Sequence, residues 1–156
     1  MKITILSVGR VRQSFIKEGE LEYAKRLSNT PCAVRFLELG LEVTDSMSAN
    51  EVQEREAIEL EKKLVGYDCV IALDERGKLL NSLEFSSLIG DKMQSGVKSA
   101  VFLIGGAYGF AERIRKRANH VLSLSKLTFP HQVTRLILVE QIYRAHTLLR
   151  GISYHK

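Results

Sequence analysis

A chain of 156 residues with 45% hydrophobic and 26% charged residues has the composition of an ordinary soluble globular protein and fits one domain over residues 1–156. No apolar run reaches the roughly 18 residues of a membrane span, and the opening M-K-I-T-I-L-S-V-G lacks the core and cleavage site of a signal peptide, so a cytoplasmic protein with no membrane partner is expected. Net charge is +5, yet Ala111–Lys156 carries nine Lys/Arg against two Asp/Glu and the residues before it 14 against 16; this asymmetry suits either a polyanionic partner on the C-terminal side or a solvated basic face.

Lys2–Val8 reads as a short apolar strand. Ser14–Leu27 has helical spacing through Phe15, Leu21, Tyr23, Ala24 and Leu27, and Asn29-Thr30-Pro31 stops it. Ala33–Leu39 is a second strand. Ser48-Ala-Asn-Glu51 is a capping box that opens a helix to about Val65, closed by Gly66. Asp68–Asp74 is nearly all apolar, the pattern of a strand buried on both faces. Asn81-Ser-Leu-Glu84 is a second capping box, starting a helix to about Gln94. Ala100–Ile104 is another buried strand, Ala111–Ala118 a short basic helix, Val121–Leu124 a brief strand and His131–Leu149 the last helix.

Strands that alternate with helices, and lack polar alternation, predict an α/β fold with a mainly parallel sheet and helices on both faces. Ligands of such sheets sit beyond the carboxyl ends of the strands. Here those ends are Leu73-Asp74, Ile104-Gly105-Gly106 and Leu124-Ser125. Cys32 and Cys69 lie far apart with no metal-ligand spacing, so they read as core residues of a protein without a metal site, in a reducing compartment.

The turn Gly105-Gly106-Ala107-Tyr108-Gly109 follows a strand and precedes a helix, where glycines admit a close ligand or simply make a tight turn. It has neither the Lys-Ser/Thr of a phosphate loop nor dinucleotide-binding spacing. The loop Ser123–His131 offers amides, carbonyls and hydroxyls beside Leu127 and Phe129, a set that suits an adenine edge and a ribose. Pro130 keeps Phe129 out of the α region, and His131 reads first as a helix-start residue.

The last helix carries an apolar stripe wide enough for its own sheet and a second copy, interrupted by Arg135, Glu140, Gln141 and Arg144. Arg144 either pairs with Glu140 at i, i+4 or contacts a phosphate or base edge. The tail Ser153-Tyr154-His155-Lys156 has the position of a frayed end, but it joins a stacking aromatic to a histidine that exchanges protons near neutrality.

Taken together, L-I-G-G-A-Y-G, L-S-L-S-K-L-T-F-P-H, R-L-I-L-V-E-Q-I-Y-R-A and the terminal Y-H-K resemble the RlmH family of ribosomal RNA large subunit methyltransferases, of the SPOUT (α/β-knot) class. The resemblance implies a C-terminal trefoil knot, a homodimer, and S-adenosyl-L-methionine held in the knot without a metal. It implies N3 methylation of a pseudouridine in a 23S rRNA stem-loop, on the large ribosomal subunit or whole ribosome. By motif match the cofactor-binding residues are Leu73, Gly105, Leu124, Ser125, Lys126, Leu127, Thr128 and Phe129, and the catalytic candidates are Arg144, Tyr154 and His155. Two positions depart from the family pattern: Ala107 and Ser153 stand where prolines are common. A ribosome- or RNA-binding module with a vestigial nucleotide pocket is the alternative reading, and a nucleotide-binding enzyme of another class the third. Neither alternative needs the S-L-S-K-L-T loop.

Overall fold

The computed structural model describes residues 1–154. Five strands alternate with five helices: β1 (Lys2–Val8), α1 (Ser14–Leu27), β2 (Val34–Leu39), α2 (Ala49–Lys63), β3 (Cys69–Leu79), α3 (Ser82–Gln94), β4 (Ser99–Ile104), α4 (Glu112–Arg117), β5 (His120–Ser123) and α5 (His131–Leu149). All strand pairs are parallel, in the order β2-β1-β4-β3-β5. The α/β architecture with a parallel sheet is therefore as the sequence predicts. Most boundaries fall within a residue of those expected, the usual spread at element ends.

The period of two along each strand divides the core into two layers. Ile3, Ile5, Ile71, Phe102 and Ile104 pack with Leu27, Phe85, Ile89, Leu138 and Ile142, which come from α1, α3 and α5. Leu6, Val8, Val70, Ala72, Val101 and Leu103 pack with Ala57 and Leu60 of α2 and Ile114 of α4. Helices thus cover both faces, which explains why the strands read as continuous apolar runs.

Both capping boxes form. Ser48 N–H donates to Glu51 at 2.8 Å while Ser48 Oγ accepts from Glu51 N–H at 3.3 Å. Asn81 and Glu84 exchange the same pair of bonds at 2.8 and 2.9 Å. Cys32 and Cys69 are buried, unbridged cysteines, and burial pushes both thiol pKa values up.

β3 is longer than its apolar pattern indicates. Leu73 pairs with Leu122, and after a register shift Lys78 pairs with Leu122 as well and Leu79 with Ser123, so β3 passes β5 twice. The intervening Asp74-Glu-Arg-Gly77 is polar, so the apolar run read as a strand ended at Asp74. Two local features allow the second pass. Asp74 Oδ1 accepts the Arg76 N–H at 3.0 Å. Gly77 lies directly on the Leu122 backbone, where a Cβ would come within 2.6 Å of the amide nitrogen and 2.7 Å of Cα.

Arg135 does not interrupt an outer stripe. It is 2% exposed, and its guanidinium donates to both oxygens of Glu20 at 2.6 and 2.9 Å, to Ser7 Oγ at 2.9 Å and to Glu38 at 3.0 Å. This network ties α5 to α1, β1 and β2 in the core.

Candidate functional site

A cavity of about 580 Å³ opens at the carboxyl ends of β3, β4 and β5, where a parallel sheet places its ligands. All eight residues expected to hold a cofactor line it: Leu73, Gly105, Leu124, Ser125, Lys126, Leu127, Thr128 and Phe129. They arrive from three places in the chain: the bend in β3, the turn after β4 and the loop after β5. That convergence follows from strand order, since β3 stands between β4 and β5.

The loop after β5 is held by its own polar atoms. Ser123 Oγ donates to the Ser125 carbonyl at 2.9 Å, and Ser125 Oγ accepts the Leu127 N–H at 2.9 Å. The hydroxyls therefore shape the loop first, and Leu127 is left 73% exposed beside the opening. His131 also lines the cavity at the start of α5, capped by Pro130 at ψ 141°.

The glycine turn rests on α2. Gln53 Nε2 donates to the Tyr108 carbonyl at 2.5 Å, and the Glu56 carboxylate accepts the Gly106 N–H. Gly109 supplies the positive φ of +72° that closes the turn. Across the opening, Arg115 Nη1 meets Asp74 at 3.3 Å, both lining the cavity. Hydrogen bonding to Glu112, and then to Asp74, pushes the Arg115 pKa up, so this guanidinium is a fixed charge.

The catalytic candidates stand elsewhere. Neither Arg144 nor Tyr154 is among the residues lining the cavity. Arg144 lies about 15 Å along the helix from the cavity-lining Thr134, at about 1.5 Å per residue. Arg144 bonds Glu140 at 2.6 Å, the i, i+4 pair that the spacing offered as the simpler reading, and its guanidinium sits 4.9 Å from the Tyr154 ring centre. Tyr154 is docked rather than frayed. Its hydroxyl donates to Glu140 at 3.1 Å and lies 3.5 Å from the Tyr23 hydroxyl, and its ring meets Tyr143 edge-on at 4.9 Å. The bond with Tyr23, burial and the adjacent Glu140 charge all push the Tyr154 pKa up, so the phenol stays protonated. The third candidate, His155, lies outside the described residues.

Family comparison fits this geometry. The model described as "Predicted SPOUT methyltransferase" matches residues 1–155. The chain belongs to the SPOUT methyltransferase family. Curated relatives within reach of this SPOUT chain include proteins named ribosomal RNA large subunit methyltransferase H. Those of Clostridium botulinum (strain Kyoto / Type A2) and Streptococcus agalactiae serotype III (strain NEM316) are each 42% identical with 100% of both chains covered. That of Trichlorobacter lovleyi is 42% identical over 99% of each. Solved folds agree at far lower identity. The probable methyltransferase of Bordetella pertussis Tohama I has a TM-score of 0.58 at 10% identity, covering 92% of this chain and 95% of that one. TrmJ from Z. mobilis ZM4 has a TM-score of 0.54 at 10% identity, covering 94% of this chain and 70% of that one.

Residue-by-residue reading missed Gln53, Glu56 and Arg115. Each is an ordinary helix residue by spacing, and only the packing of α2 and α4 against the turn brings it to the site.

Proposed function

We propose that this protein is an S-adenosyl-L-methionine-dependent methyltransferase that methylates N3 of a pseudouridine in 23S rRNA, on the assembled ribosome or its large subunit. The observation that carries the reading is the cavity itself: in a SPOUT chain, the eight motif residues surround one space at the sheet's carboxyl edge. The name shared by relatives 42% identical over the whole chain supports the rRNA substrate. The residues suit the cofactor. Its volume of about 580 Å³ lies within the usual range for small-molecule sites, and Leu73, Ile104, Leu127 and Phe129 offer apolar contact for an adenine beside the backbone amides of the loop.

The cofactor supplies an electrophilic methyl group on a sulfonium. The protein's task is to hold the target base in line with that methyl and to favour loss of the weakly acidic N3 proton. Because Tyr154 is held protonated, it serves as a stacking surface or hydrogen-bond donor to the base, and His155 is assigned as the proton acceptor, directly or through a water. Arg144 anchors RNA or offsets developing negative charge.

Since Arg144 and Tyr154 stand away from their own cavity, the reading places them against the cavity of a second copy, in a homodimer. The outward face of α5 supports this: Val133, Ile137 and Leu148 are only half-buried on the same stripe as Arg144. The same reading takes residues 1–156 as one cytoplasmic domain that carries a C-terminal trefoil knot. The described residues form one α/β unit built around the cavity, so specificity is assigned to the folded substrate, and free rRNA should be methylated far more slowly than ribosomes.

The test is mass spectrometry of 23S rRNA from cells with and without the gene, with purified enzyme restoring the mark in vitro. One methyl group should vanish and return; unchanged rRNA would overturn the reading. Arg144→Ala and Tyr154→Phe should slow methylation by about 10- to 100-fold while leaving S-adenosylmethionine affinity within about twofold. Single-turnover rates and calorimetry check this, and a parallel loss of cofactor affinity would place both residues in the cofactor site instead.

A further inference from the structure

Glu56 has no part in the methylation scheme, yet it sits directly behind the cavity wall. It is 4% exposed, on the buried face of α2. Its carboxylate accepts the Gly106 N–H, and burial raises its pKa against the lowering effect of that bond. Among the described residues it forms no ion pair. Two other carboxylates of the same helix, Glu54 and Glu61, pair with Arg113 of α4. A buried carboxylate is disfavoured unless positive charge compensates it.

Among the described residues, Gly106 is the one through which that carboxylate is bonded to the cavity turn. It lines the cavity, and a Cβ at this position would come within 2.8 Å of both Glu56 Cδ and Oε2. Glycine here lets the carboxylate lie against the inner wall with no side chain between. We infer that Glu56 is the counter-ion for a cationic group of the ligand bound in this cavity, acting across Gly106. The inference rests on the S-adenosylmethionine reading and deepens it: Glu56 becomes a specificity residue that selects a positively charged cofactor. Two groups of that cofactor are cationic, the sulfonium and the amino-acid ammonium, and the ligand series below distinguishes them.

The experiment is calorimetric titration of wild type and Glu56→Gln with S-adenosylmethionine, S-adenosylhomocysteine and the uncharged 5′-methylthioadenosine. Glutamine keeps an acceptor for the Gly106 N–H and removes only the charge. S-adenosylmethionine should bind E56Q about five- to tenfold more weakly, and methylthioadenosine within about twofold of wild type. If S-adenosylhomocysteine is spared, the sulfonium is the partner; if it weakens equally, the ammonium is. Equal weakening of methylthioadenosine, or unchanged S-adenosylmethionine affinity, overturns the inference. Should E56Q fail to fold, the wild type decides: methylthioadenosine binding as tightly as S-adenosylmethionine overturns it. If none of the three binds the wild type, the cofactor reading itself fails.

Discussion

Gly77→Ala is expected to lower S-adenosylmethionine affinity more than tenfold and to destabilise the fold by about 1–3 kcal/mol, the usual cost of overpacking. The added methyl meets backbone rather than a flexible side chain: the Leu122 amide nitrogen at 2.6 Å and Cα at 2.7 Å. No rotamer change relieves that contact, so β5 must move away from the second pass of β3. Ser123 ends β5 and the loop to Phe129 follows directly from it, and they line the cavity. Gly40→Ala is the matching control, because its new methyl meets the Arg10 side chain at an ordinary 3.4 Å. Calorimetry and thermal denaturation read both effects. A G77A protein that binds the cofactor like G40A would show that the close approach does not shape the cavity.

Arg135→Met should cost about 3–5 kcal/mol, because it leaves Glu20 buried beside Glu38 without their shared cation. Domains are commonly stable by only about 5–15 kcal/mol, so the variant is expected to melt roughly 10 °C lower or more. The defect has a pH signature. Burial raises the Glu20 pKa above its ordinary 4.5, and the hydrogen bond and charge of Arg135 oppose that rise. A raised carboxyl contributes stability that is present below 4.5 and lost as pH rises through its folded value. Without Arg135 the folded value climbs further, so the gap between wild type and R135M should widen from acid pH to neutrality. Removing the partner charge at the same time, in Glu20→Leu with Arg135→Met, should recover part of the loss. Urea denaturation at several pH values checks this; an equal defect at pH 4.5 and pH 7 would refute the charge explanation and leave only lost packing.

The elements whose formation depends on nearby residues were the legible ones. The two capping boxes, the doubly buried strands and the last helix each declare themselves within about a dozen residues, and each appears where its pattern places it. The cavity was legible through strand ends and motifs together: Leu73 and Gly105 are sequence-visible ends of apolar runs, and the Leu124–Phe129 loop is an unusual string. What could not be read depends on partners distant along the chain. Arg135 looked like a break in an apolar stripe because Glu20 and Glu38 are far from it in sequence and nothing local marks them as its partners. The second pass of β3 was hidden because Asp74-Glu-Arg-Gly77 is polar, and Lys78 and Leu79 pair with the edge strand β5, where no apolar signal is required. Glu56 was hidden for the same reason as Gln53. A helical acidic residue is unremarkable until the turn it supports is folded onto it.

The strand order has a kinetic side. β1 pairs with β4 through Lys2 and Ser99, and β3 pairs with β5 through Leu73 and Leu122, so the sheet is joined by contacts remote in sequence. Distant pairings slow folding because the intervening chain must be ordered before they form. The cavity needs β3, β4 and β5 all in place, with β5 seated between a bend and a second pass that Gly77 keeps tight. Helix content should therefore return early during refolding, while cofactor binding lags behind it. The ligand site then reports the last event of folding rather than an early one, and a bound cofactor acts chiefly by slowing the first step of unfolding.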